Sequence, residues 1–592
     1  MNTKQFYFSQ SAVFFGLLAL AVLSATPARA QSRSLYDWAW VARLGATTVP
    51  GPGAPNFPPS FDQPESLAAD AAGNVLIAGA YDPDVIFGGP SPRYQAATGP
   101  LGTIEGSYVA KYTSAGALAW TMDLTGNGDV RVSDLAVDAA GNSYVLGSYY
   151  QQLRINGVLA TSATSNTPCF LAKISPAGTL LWATTVEPDV ITGNRFTMQR
   201  LAVDALGNTA VQGEFEGQVS LNGATFTGAA SKLHILVARY SALGVAQGAF
   251  AGYTNGSDQG RVLTGIALSP AGECYLSGRI FNTASIQFGT LPILTGPPSG
   301  GGSVYSAGFV VKHDASTIAA WQLVSSGASA QLFNDVAVGP QGRCYIVGTF
   351  RGGSMTLGGI ALTTTNPAGA SGYDILLAKL SPNGTVESLH GGGGTSRAWG
   401  LSLGPQGEPT IGTAGGLDWG NVLLPGPSSF ASSAATGLLH FNAAGVPQRG
   451  WQAGGGFFTT ALAVDGLNRP VLAGTYTGVF PAAFGTQQLT SPYSWNTLIA
   501  RTGTTVLSTR QAAQVAGLEV FPNPARQLVE VRTAAAGAAR VQLLDALGRI
   551  VRAQALNAEQ TRMNLVGVAA GFYTLRVQQG GAVSFRHLVV EP

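Results

Sequence analysis

Apolar and polar positions along this chain fall into one recurring phrase. Its clearest copy is LAVDAAGNSYVLGSYY at residues 135–150. Leu135 and Val137 alternate with Ala136, the period of a strand. A turn follows from Asp138 to Gly141, then a second apolar run. The phrase returns as LAADAAGNVLIAGAY from Leu67, LAVDALGNTAVQGEF from Leu201, IALSPAGECYLSGRI from Ile266 and VAVGPQGRCYIVGTF from Val336. Shorter copies are LSLGPQGEPTIGTA from Leu401 and LAVDGLNRPVLAGTY from Leu462. That makes seven copies at intervals of 61 to 70 residues. A period of this length marks one supersecondary unit that cannot bury its faces alone, so neighbours must stack.

The turn carries its own chemistry. Gly141 falls where a short hairpin loop needs φ > 0, which glycine adopts without strain. Gly73, Gly207, Gly272, Gly342 and Gly407 match it, and the seventh copy has Asn468, the next residue type to tolerate that conformation. Asp138 is expected to accept backbone N–H groups two residues on. A second glycine follows at Gly79, Gly147, Gly213, Gly278, Gly348, Gly412 and Gly474, a sign of close backbone approach or a bend. The outgoing strand is apolar on both faces and so must be covered twice.

Each repeat has a second half, clearest as YVAKYTSAGALAW (108–120), FLAKISPAGTLLW (170–182) and FVVKHDASTIAAW (309–321). It reads as strand, turn, strand, giving four strands per repeat. A long connection between the two hairpins often holds an extra strand-like piece, such as LRINGVLAT at 153–161. Seven four-stranded units predict an all-β fold, a seven-bladed β-propeller over 31–507. The segment DWAWVARL (37–44) looks like a fourth strand with nothing before it, and the seventh repeat ends near Leu507 without one. Residues 37–44 are therefore expected to complete the last blade and close the ring, which protects sheet edges. Residues 508–517 read as a linker. From 518 to 592 short strands with turn signals predict a small Ig-like β-sandwich.

Residues 1–30 are not expected to be part of the fold. Lys4, an apolar run over 12–23 and the small-x-small site Ala28-Arg29-Ala30 read as a Sec signal peptide. No later stretch is long and apolar enough to span a bilayer as a helix. Only 10% of residues are charged, which excludes a disordered acidic or basic chain. Three cysteines remain, Cys169, Cys274 and Cys344; the latter two occupy matching repeat positions, too far apart for a bond, so all three read as buried thiols.

Two resemblances add to this reading. The combination of A-K-x-S-P-x-G-x-L-x-W with LAVDAAGNxYVxGSY resembles the SBBP repeat of bacterial seven-bladed propellers over most of 35–507, with repeats six and seven departing from it. That implies a secreted propeller and no particular activity. The tail resembles the type A C-terminal sorting domain of the type IX secretion system. The matching residues are Pro522-Asn523-Pro524, the turn from Asp545 to Gly548, Gly571 and Tyr573 in GFYTL, and a final apolar strand. The resemblance implies export to the periplasm, recognition by the type IX secretion machinery, and a product that is secreted or held at the cell surface.

Catalytic motifs are missing from the sequence. The five histidines form no zinc pattern, and there is no nucleophile elbow, Walker loop or C-x-x-C. Asp123, Asn127, Asp129 and Asp134 are dense enough to suggest Ca²⁺, but their spacing fits a polar turn better than a calcium loop. No catalytic residue and no cofactor is assigned. The near-neutral repeat region has no basic patch for nucleic acid. The aromatic residues after the second glycine and the tryptophans of the second half read as packing between blades rather than a sugar-stacking row.

Two classes stay open. The first is a monomeric surface scaffold that binds a polysaccharide or another surface protein. The second is an extracellular enzyme, a hydrolase or lyase acting on polymers or, more remotely, a quinoprotein dehydrogenase. Carboxylates and histidine gathered at the axis would favour the second.

Overall fold

A computed structural model describes residues 36–45, 63–81, 84–87, 93–95, 97–99, 102–162, 168–192, 195–255, 263–282, 284–298, 305–327, 330–351, 353–363, 373–394, 397–419, 422–424, 436–454, 457–476, 482–485, 487–489, 496–506, 515, 517–534, 539–545, 550–556, 560–579 and 582–591. The signal-peptide site Ala28 and Ala30, most of the linker and Gly548 lie outside them. All regular structure among the described residues is β-strand. The chain divides into two compact bodies, Met1–Val506 and Leu507–Pro592.

In the first body each repeat forms an antiparallel four-stranded meander. Repeat two is the plainest: Arg131–Val137, Ser143–Ser148, Cys169–Ile174 and Leu180–Val186, hydrogen-bonded in that order. The second and third strands are buried at nearly every position, because both faces are covered. Gly73, Gly141, Gly207, Gly272, Gly342 and Gly407 have φ between +71° and +87°, and Asn468 has +59°. The two-residue reach expected of the turn aspartate is seen where Asp204 and Asp465 accept the N–H groups of Leu206 and Leu467, each at 2.9 Å, and Asp138 also reaches further. Its carboxylate takes the backbone N–H and the side-chain amide of Asn142, four residues on, at 2.9 and 2.8 Å. Asp70 with Asn74 and Asp204 with Asn208 repeat this pair of bonds. The aspartate and asparagine of D-x-x-G-N are thus one clamp.

Contacts between repeats explain the second-half motif. The indole N–H groups of Trp120, Trp182 and Trp321 donate to the carbonyls of Pro176, Ala242 and Pro382, each in a turn of the following repeat. Lys111, Lys173 and Lys312 donate to the same three carbonyls. An indole at an interface needs such an acceptor. Lys111 also meets Asp70 at 3.0 Å, tying its own turn to the next. Hydrophobic clusters likewise draw on two repeats at once: Leu76 and Val109 of the first pack with Val132, Val145 and Phe170 of the second. Another joins Val75 and Ile77 of repeat one to Val471 and Ile499 of repeat seven.

The strand-like pieces between hairpins have a shared role. Gln152–Ile155, within repeat two, pairs with Leu118–Gly126, the outer strand of repeat one. Ser285–Phe288, Leu417–Trp419 and Ala482–Phe484 add in the same way to the outer strands of repeats three, five and six. These four insertions therefore cover a neighbour's open edge rather than their own.

The strand Tyr36–Leu44 pairs antiparallel with Asn496–Val506, completing a four-stranded sheet with Pro470–Tyr476 and Phe457–Val464. Just beyond it, Gly45 bridges to Ile86 of repeat one. Repeats seven and one also touch through Gly466 N–H to the Asp70 carbonyl at 3.2 Å and Arg501 to the Gly73 carbonyl at 3.3 Å.

The second body has two sheets. One orders Glu519–Phe521, Leu528–Arg532 and Gln560–Asn564; the other orders Ile550–Leu556, Ala539–Leu544, Gly571–Gln579 and Ala582–Val590. Val529, Val531 and Met563 from the first share a core with Val541, Leu575 and Leu588 from the second. Asn523 joins the first segment to the last strand: its amide donates to the His587 carbonyl at 2.8 Å and accepts from Val589 N–H at 2.9 Å.

Candidate functional site

The first strands of the seven repeats share an irregularity. In each, one residue is skipped in the pairing with the second strand: Glu65, Ser133, Gln199, Thr264, Asn334, Trp399 and Thr460. These are β-bulges, which re-aim side chains and recur beside binding sites. A cavity of about 230 Å³ lies against them. Every repeat lines it through the residue that opens the apolar phrase and the one before it: Ser66, Asp134, Arg200, Gly265, Asp335, Gly400 and Ala461 precede those openings. The bulge residues Glu65, Thr264, Asn334, Trp399 and Thr460 complete it.

The cavity holds three carboxylates and one guanidinium, Glu65, Asp134, Asp335 and Arg200, and its described lining contains no histidine. Two of the carboxylates already serve the backbone. Asp134 accepts the Ser66 hydroxyl at 2.7 Å and the N–H groups of Leu135 and Leu201 at 2.9 and 2.8 Å. Asp335 accepts Val336 and Leu401 N–H at 2.9 and 3.0 Å. Leu201 and Leu401 each belong to the next repeat, so both carboxylates pin one first strand to its neighbour. Burial pushes the Asp335 carboxyl up to about 6; nearby Arg200 and the two N–H donors oppose this, and the Asp134 charge adds to it. Trp399 packs into the apolar cluster of Leu438, Phe457 and Leu472, so only part of it faces the cavity.

The residues considered for calcium are divided among other partners. Asp123 accepts the Tyr81 hydroxyl at 2.6 Å, Asp129 accepts Glu105 N–H at 3.1 Å, and Asp134 faces the cavity. Among the described residues no group of three or more His, Cys, Asp or Glu is placed to hold a metal. Cys169, Cys274 and Cys344 are buried free thiols. His313 is 2% exposed and stacked on Phe250 at 3.9 Å, a packing role. In the tail, the Tyr573 hydroxyl donates to the Ala569 carbonyl at 2.8 Å, and Gly571 opens the strand Gly571–Gln579. Sequence reasoning passed over Arg200 and Asp335. The signal was present, because both stand immediately before an apolar opening, as Asp134 does.

Comparison with known proteins defines the class of the second body first. Residues 519–591 match the family described as secretion system C-terminal sorting domain. The chain is thereby linked to the type IX secretion system, whose sorting domains mark proteins for secretion or display at the cell surface. No helix among the described residues is long and apolar enough to cross a membrane.

No curated protein matches the sequence. Solved structures that resemble it are remote. A protein of unknown function from Bacteroides caccae is 12% identical, with a TM-score of 0.27, covering 55% of this chain and 81% of that one. PorZ, an essential surface component of the type IX secretion system of Porphyromonas gingivalis, is 11% identical with a TM-score of 0.17, covering 91% and 100%. Puromycin hydrolase is 12% identical with a TM-score of 0.38, covering 80% of this chain and 58% of that one.

Proposed function

We propose that residues 31–507 form a closed seven-bladed propeller of the SBBP-repeat type, sealed by strand 36–44, and that it is an exported scaffold that binds a polysaccharide or a protein at the cell surface. Cleavage after Ala30 would free the chain in the periplasm, and the tail would then hand it to the secretion machinery. One observation carries the architectural part: seven bulged strands, one per repeat, line a single cavity. The pairing of 36–44 with 496–506 and the contacts between repeats seven and one support closure.

Binding is favoured over catalysis by the state of the cavity carboxylates. Asp134 and Asp335 are committed to neighbouring N–H groups, and general acid–base work on a polymer needs a carboxyl within reach of substrate. A cavity of this size would hold a small group rather than a polymer chain. The enzyme reading has one point in its favour, a carboxyl titrating near 6 beside Arg200. The two are separated by a glycan array and a surface-protein pull-down with the purified mature chain, run beside a polymer-depolymerisation assay. Ligand retention without turnover supports the scaffold. Turnover lost in Asp335→Asn would replace it with an enzyme.

A further inference from the structure

Charge is scarce on this chain, yet arginines from two consecutive repeats rest on one tyrosine. The Arg351 guanidinium, at the end of Cys344–Arg351 in repeat five, lies over the Tyr373 ring at 5.1 Å. That of Arg397, the first residue of Arg397–Leu403 in repeat six, lies over the same ring at 4.6 Å. The two guanidinium carbons are thus no more than 9.7 Å apart, the sum of those distances.

Arg351 and Arg397 stand apart from the paired arginines of the chain. Among the described residues neither Arg351 nor Arg397 has an acidic partner at salt-bridge distance, unlike Arg131, which meets Glu105, or Arg343, which meets Glu387. Asp374 follows Tyr373 directly but is 1% exposed, so it offers no carboxylate at the surface. Arg397 is exposed and Arg351 and Tyr373 are half-buried. Guanidinium planes resting on a ring are ordered in advance, and their donors suit closely spaced carboxylate or sulfate oxygens.

We propose that Arg351 and Arg397, held by Tyr373, bind carboxylated or sulfated sugar residues of an extracellular polysaccharide. This rests on the binding reading above and names its ligand class. Nucleic acid fits less well, since a net charge of +2 and two clustered arginines neutralise few phosphates. Export to the cell surface or beyond would expose the site to extracellular ligands of this class.

The test measures binding of the mature full-length chain to polygalacturonate, chondroitin sulfate, neutral dextran and poly-glutamate. At least one acidic polysaccharide should bind, and the two acidic arms distinguish carboxylate from sulfate. Binding should weaken in about 0.5 M salt, where screening is strong. Arg351→Gln/Arg397→Gln should lose about tenfold or more in affinity. Arg351→Lys/Arg397→Lys should retain part of it, and Arg131→Gln should be unchanged. Melting curves confirm that each variant is folded. Equal binding to dextran, tighter binding to poly-glutamate, or wild-type affinity in the Gln double variant overturns the site. Binding to neutral glycans alone sinks the site and leaves the scaffold reading standing; silence toward every glycan and every surface protein removes both.

Discussion

The strand Tyr36–Leu44 offers the sharpest test of closure, through Trp38. Its pairing with Asn496–Val506 skips Ala39, since Trp38 faces Thr502 and Trp40 faces Arg501. In a regular strand two residues that far apart share a face; a bulge between them breaks that rule. Trp38 therefore points toward repeat six, where it is 3% exposed and donates to the Gln452 carbonyl at 3.2 Å, and it meets Phe484, in the insertion added to that repeat's edge, edge-on at 5.1 Å. Trp40 points toward repeat one and donates to the Ser114 carbonyl at 3.3 Å. The strand so joins both sides of the junction.

Trp38→Ala removes a fully packed ring, which costs about 3–5 kcal/mol in a core that relaxes only partly. Loss of the indole bond to the Gln452 carbonyl adds about 1 kcal/mol. Trp40 is only half-buried, so Trp40→Ala should cost roughly half as much. The assay is urea unfolding of the mature chain by circular dichroism, reading the midpoint because a repeat array need not unfold in two states. Limited proteolysis reports whether 36–44 detaches first. A Trp38→Ala midpoint within error of wild type, or a deletion of 36–44 with unchanged melting, would refute closure by this strand.

Further outcomes are expected elsewhere. Asp335 holds its proton to about pH 6 when folded and releases it near 3.8 when unfolded, so the folded state binds more protons between those values. Stability should therefore fall as pH rises from 4 to 6 and then level off, by at most about 3 kcal/mol and less where cavity water reaches the carboxyl; in Asp335→Asn this slope should vanish from pH-dependent urea curves. Gly207→Ala should destabilise by about 1–2 kcal/mol from its φ of +86° alone, with more from a Cβ placed 2.2 Å from the Tyr144 hydroxyl; an unchanged melting temperature would contradict the turn geometry. Asn523→Ala should cost the tail about 1–3 kcal/mol by freeing two backbone groups of the last strand; the chain should then accumulate inside the cell, and normal secretion would show that this clamp is dispensable.

How much was legible varies by element. The turns were readable because their demand is local: a left-handed residue is needed at one place, and Gly73 through Asn468 supply it. The export tail was readable because its spacing is fixed, with Asn523, Asp545 and Tyr573 in a set order. The repeated tryptophan and lysine were visible as a pattern, but their shared acceptor was not. Pro176 and Ala242 carbonyls lie about 60 residues downstream of the tryptophans that use them.

The chain by itself determined the strands, their turns, the count of repeats and the address. Those follow from side-chain alternation and from backbone conformations that few residues tolerate. Only the tertiary structure decided which residues meet. Arg200 and Asp335 reach one cavity through bulges, insertions cover a neighbour's edge, and Arg351 and Arg397 share Tyr373. Those meetings depend on how one sheet stacks on the next, and no local preference encodes a distance between residues in separate repeats.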